Sequence, residues 1–101
     1  MHINAPTFDL MALVGGTSTN DEGAKLYTAL APAIASGQVV RLSLHGATPM
    51  ATSFLNSSFG ELIDHYGIAA VRHSIKLVSF LPSHATRMKD YLDSYRVLEA
   101  A

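Results

Sequence analysis

Three short apolar runs, each followed by a stretch with helical spacing, constrain this chain more than any other feature. The runs are Phe8 to Val14, Gln38 to Leu44 and Ser74 to Phe80, and each reads as a strand. Helix-length connections between them favour parallel neighbours joined by right-handed crossovers. The resulting order is strand, helix, strand, helix, strand, helix, which is the α/β class. A chain of 101 residues fits one domain, residues 1–101, with no repeat or linker.

Local punctuation supports that order. Gly15-Gly16 closes the first run. Thr19 or Asn20 then suits an N-cap, and Asp21 and Glu22 suit the positive end of the helix that follows. Leu26, Tyr27, Leu30 and Ile34 give this helix its apolar face, Pro32 either kinks it or ends it early, and Gly37 stops it. In the second run Val39, Val40, Leu42 and Leu44 are nearly continuous, as in a strand covered on both faces. A second helix runs from about Thr52 to Tyr66, with Phe54, Leu55, Phe59, Leu62, Ile63 and Tyr66 on one face. Gly60 inside it suggests close packing against a strand, and Gly67 ends it. Ile68 to Arg72 reads as a short extended piece. Ser83 is the expected N-cap of a final helix with Met88, Tyr91, Leu92 and Tyr95 on its apolar face.

Composition removes several functions. Net charge is -1 with no basic run, which argues against binding driven by nucleic-acid phosphates. There is no cysteine, hence no disulfide, thiolate metal site or cysteine nucleophile. No apolar run approaches the roughly 18 residues of a membrane span. The start Met1-His2-Ile3-Asn4-Ala5-Pro6 lacks the pattern of a signal peptide. A cytoplasmic protein is expected. Charged residues make up only 15% of the chain, so much of the surface is uncharged or covered by a partner.

The functional candidate left by this elimination is the junction from Leu42 to Leu55. There a strand ends in the turn His45 to Met50, which delivers Thr52 and Ser53 to a helix start. Hydroxyls at that position can bind an anion, accept a phosphate or cap the helix.

Met50-Ala51-Thr52-Ser53-Phe54-Leu55-Asn56-Ser57-Ser58-Phe59-Gly60 resembles the STAS-like domains (DUF4325), relatives of the anti-sigma factor antagonists; the similar segment runs roughly from Val39 to Phe80. The antagonist pattern is Asp-Ser-Ser-Gly-Leu, and Thr52-Ser53-Phe54-Leu55 matches its last four positions. Ala51 stands where the antagonists carry an acid, and Phe54 where they carry glycine. The resemblance implies a small sheet of about four strands with three helices mainly on one face. It also implies a non-catalytic, bacterial, regulatory protein-binding module whose partner is a histidine-kinase-like ATPase. Ser53, with Thr52 beside it, takes the phosphoacceptor position. His45, Thr48, Met50, Thr52, Ser53 and Asn56 form the expected partner surface. An inhibitor or assembly protein of a phage or mobile element, acting by occlusion, is the alternative reading. A homodimer is open to either, with Tyr91 and Tyr95 able to anchor it.

Catalysis has less support. A hydrolase would need Ser53 and His45 together with an acid, but no acid lies beside His45 and no GxSxG elbow is present. His2, His45, His65, His73 and His84 show none of the HxH, HxxxH or HExxH spacings, so no metal and no cofactor are expected. Gly15-Gly16-Thr17-Ser18-Thr19 lies where a phosphate loop would, but it lacks both glycine signatures and reads as a flexible loop into a helix cap. Asp64, Asp90, Asp93 and Glu99, with Arg87, Lys89 and Arg96, read as solvated faces carrying weak ion pairs.

Overall fold

A computed structural model describes residues 6–100, with side chains through residue 94. His2 and the side chains of Tyr95, Arg96 and Glu99 lie outside the described residues. The elements in chain order are β1 (Thr7–Asp9), α1 (Leu10–Val14), α2 (Asn20–Ala35), β2 (Val40–Ser43), α3 (Thr52–Leu55), one π turn (Asn56–Gly60), α4 (Glu61–Tyr66), α5 (Ile68–Ser74), β3 (Ile75–Val78) and α6 (Pro82–Ala100). The strands form a parallel sheet in the order β1-β2-β3, with Phe8 opposite Leu42 and Leu42 opposite Leu77. The α/β class and parallel pairing therefore hold, but the described sheet has three strands and five helical runs instead of about four strands and three helices.

Two segments account for the difference. Only Thr7–Asp9 of the first apolar run is strand, because Leu10-Met11-Ala12-Leu13 are good helix formers and turn helical as α1. Gly15 closes α1 at φ 77°, its N–H donating to the Met11 carbonyl. Ile68 to Arg72 is not extended either. Gly67, at φ 89°, breaks the chain after α4, and the Ala69-Ala70 pair then supports a second helical stretch, α5, which buries Val71 and Ser74.

β2 is covered on one face only. Val40, Leu42 and Leu44 are buried, whereas Arg41 is exposed and Ser43 half-buried. The period of two between side chains puts Phe8, Leu42 and Leu77 on the helix side and Arg41 and Lys76 on the other. The core lies between the sheet's inner face and α2, α3, the π turn and α4, around the fully buried Leu26, Leu30, Phe54, Leu55 and Leu62. Each such side chain contributes about 1.5–3 kcal/mol over the exposed state.

Helix boundaries follow local chemistry. Thr19 caps α2 in a full capping box with Glu22. Pro32 sits inside α2, which runs on to Ala35. Gly23 brings α2 against the next helix, since a Cβ there would overlap Ser57 Oγ and stand 2.6 Å from the Phe54 carbonyl oxygen. Gly60 is buried at the end of the π turn. That turn begins where Ser57 and Ser58 donate back to the Ser53 and Phe54 carbonyls at 2.8 and 2.7 Å, bonds of the kind that bend helices. α6 opens at Pro82, whose fixed φ suits a first helical position, so Ser83 lies inside the first turn and is not the cap. His84 Nδ1 instead accepts the Leu81 N–H at 3.2 Å.

Candidate functional site

In a parallel sheet all strands end at the same edge, and the connections leaving that edge are where ligands and partners are usually met. Here those connections are Gly15 to Thr19, which follows β1 and α1, Leu44 to Ala51 after β2, and Ser79 to Leu81 after β3. The first two are tied together. Thr17 is fully buried, and its Oγ1 lies 2.9 Å from the Thr48 carbonyl, 3.0 Å from the Pro49 carbonyl and 2.6 Å from Thr48 Oγ1. A hydroxyl has one hydrogen, so Thr17 shares it between the two carbonyls and accepts from Thr48 Oγ1. The Ala51 N–H donates to the Thr17 carbonyl at 2.9 Å. The glycine-containing loop is thus a brace, not a flexible lead-in.

Glu22 holds the other side of that loop. Its Oε1 accepts from the Ser18 N–H at 2.9 Å, the Thr19 N–H at 3.0 Å and Thr19 Oγ1 at 3.1 Å. The Ser18 backbone bond, chief among these, holds the Glu22 carboxyl below its usual 4.5. Gly16 makes room for this, because a Cβ there would overlap the carboxylate.

The hydroxyls at the α3 start do not cap the helix. Ala51 occupies the N-cap position and supplies no side-chain bond. Exposed Thr52 accepts from Arg87 Nη2 at 2.8 Å through its Oγ1, and Arg87 Nε donates to the Met50 carbonyl at 3.1 Å. Half-buried Ser53 donates to the Ser18 carbonyl at 2.9 Å. Capping is therefore removed from the three uses open to this pair, because both side chains turn toward neighbouring elements.

The other expected surface residues separate. His45 is exposed in the turn, and its N–H donates to Ser43 Oγ at 3.3 Å. Thr48 is exposed overall, but its hydroxyl is engaged by Thr17. Met50 is buried and packs into the core, so only its carbonyl takes part. Asn56 is exposed and accepts the Tyr91 hydroxyl at 2.7 Å through Oδ1. With Ser53 turned to Ser18, no hydrogen bond joins it to His45 among the described residues.

Arg87 and Thr17 are the site residues that sequence reasoning missed. Arg87, expected on a solvated face, is half-buried and clamps the β2–α3 connection from α6. A cavity of about 230 Å³ lies beside it, lined by Pro49, Met50, Ser83, His84 and Arg87. Among the described residues no group of three or more His, Asp or Glu side chains is placed to hold a metal ion. No helix of the described residues is long and apolar enough to cross a membrane.

The model of the STAS-like domain of unknown function (DUF4325) matches residues 22–84, from the first turn of α2 to the first turn of α6. No curated protein and no solved structure matches the chain. The matched span takes in β2, β3 and the whole β2–α3 junction with its hydroxyl pair. With well over half of its length covered by that model, the chain belongs to the STAS-like domain family of unknown function.

Proposed function

We propose that this chain is a non-catalytic regulatory module that binds a protein partner through the β2–α3 loop and the start of α3. The observation that carries the reading is the pairing of a braced loop with an uncapped helix start. Thr17 braces the two connections from within and Glu22 holds the first of them from the solvent side, while His45 and Thr52 stand exposed on the outside. Rigid presentation lowers the ordering cost of binding. The resemblance to the anti-sigma factor antagonists supports a histidine-kinase-like ATPase as that partner.

The same surface suits a phosphate switch. A phosphate on Thr52 would have Arg87 as its counter-ion, a charge-assisted pairing. A phosphate on Ser53 would remove the hydrogen now donated to Ser18 and release the α3 start from the neighbouring loop. The test is calorimetric titration with a purified ATPase of that class, followed by intact-mass analysis after adding ATP. His45→Glu weakens binding at least tenfold without changing the melting temperature. Unchanged affinity in that variant contradicts the proposed surface. A phosphate mass absent from Ser53→Ala or Thr52→Ala identifies the acceptor, and no added mass in the wild type rejects the switch.

A further inference from the structure

Among the described residues β3 is an outer strand, paired with β2 on one side only. Successive residues of a strand direct their N–H and C=O groups to alternate edges. The Val78 carbonyl accepts the Leu44 N–H at 3.0 Å, so Val78 faces inward and Leu77 presents its N–H and C=O at the outer edge. A groove of about 280 Å³ runs beside that edge between β3, α5 and α6. Phe59, Val71, Ile75, Leu77, Met88 and Leu92 make it apolar. Phe80 and Leu81, 44% and 60% exposed, extend apolar surface past the end of the strand.

Among the described residues the groove's charged lining is of one sign, with Arg72 and Lys76 and no carboxylate. Neither cation is in an ion pair among the described residues; Lys76 Nζ donates to the Arg72 carbonyl. Lys76 lies beside Arg41 in the sheet register, on the face away from the helices.

We propose that this edge takes an extended segment of a protein partner as a fourth strand, with apolar side chains in the groove and acidic side chains against Arg72 and Lys76. Strand alternation fits that chemistry, since neighbouring residues of the added strand point to opposite faces. A second copy of this chain fits worse, because a two-fold pairing of β3 edges would bring Lys76 and Arg72 toward their own mates. None of the loop residues assigned to partner binding above lines this groove, so the two surfaces are separate.

The test uses the ¹⁵N-labelled full chain and two capped hexapeptide probes, one alternating valine with glutamate and one alternating valine with lysine. The glutamate probe shifts the amides of Lys76, Leu77 and Val78 and binds at least tenfold tighter than the lysine probe. The double variant Arg72→Glu/Lys76→Glu, with both changes on exposed residues, reverses that preference. Equal binding of the two probes, shifts confined to another surface, or a preference that the charge swap leaves intact overturns the proposal. Self-association through β3, seen by sedimentation and suppressing probe binding, overturns the choice of occupant.

Discussion

The inner and outer sides of the β2–α3 junction use the same side-chain type for different ends. Inside, the Thr17 hydroxyl is fully buried and meets three oxygen atoms of the opposing loop. Outside, Thr52 and Ser53 each make one hydroxyl bond to a neighbouring element at the water boundary. A buried donor removed from its acceptors leaves them without water, whereas an exposed one is replaced by solvent. The inner hydroxyl therefore belongs to the fold, and losing the outer hydroxyls costs the fold little.

The largest expected effect breaks the inner side. Thr17→Val keeps the side chain's shape but strands the Thr48 and Pro49 carbonyls, and should cost about 2–3 kcal/mol in urea denaturation. Next is the α2 cap, which holds the same loop from its other end. Thr19→Ala should cost about 1 kcal/mol by the same measurement. Arg87→Ala cuts the clamp between α6 and the loop. Arg87 is only half-buried and Thr52 is exposed, so the loss should be about 1 kcal/mol or less. The smallest effect lies on the outer side, where Thr52→Val with Ser53→Ala should change stability by under about 0.5 kcal/mol.

Acid gives a further way to sharpen the contrast. The Glu22 carboxyl sits below its ordinary 4.5 in the folded chain, so the unfolded chain binds the proton more readily. Its contribution is complete above about pH 4.5 and is lost as pH falls through the lowered folded value. Glu22→Gln should therefore narrow its stability deficit against the wild type below pH 4.5, with little pH dependence of that deficit above it. Urea titrations at a series of pH values measure this.

Much of the fold was legible because it repeats at short range. The apolar spacing of Leu26, Leu30 and Ile34, and of Phe54, Leu55, Phe59, Leu62 and Ile63, placed two helices near their observed limits. The α2 cap was legible only as Thr19 or Asn20; the structure places it at Thr19, paired with Glu22 in a capping box. Leu10–Val14 escaped because five residues are too few for a helical period to show against a strand-like apolar run. α5, expected as extended over Ile68 to Arg72, escaped for the same reason, with Ile68 and Val71 outweighing the Ala69-Ala70 pair between them.

Within the site, the hydroxyl pair was visible and its partners were not. Thr17 meets Thr48 across 31 positions, and Arg87 meets Thr52 across 35. No local pattern announces contacts of that range; they exist only once the parallel sheet has gathered its loops at one edge. Met50 shows the converse. As part of the turn it looked available to a partner, but the turn folds its side chain into the core.

Native-state hydrogen exchange at the junction is the most direct test of a braced loop presenting an open helix start. Ala51 donates its amide to the Thr17 carbonyl, whereas the amides of Thr52 and Ser53 belong to the first helical turn, where no intrahelical acceptor exists. The Ala51 amide should be strongly protected, with Thr52 and Ser53 exchanging near the unprotected rate, and Thr17→Val should abolish the protection of Ala51. Equal exchange at all three amides in the wild type, or protection of Ala51 that survives Thr17→Val, would contradict it.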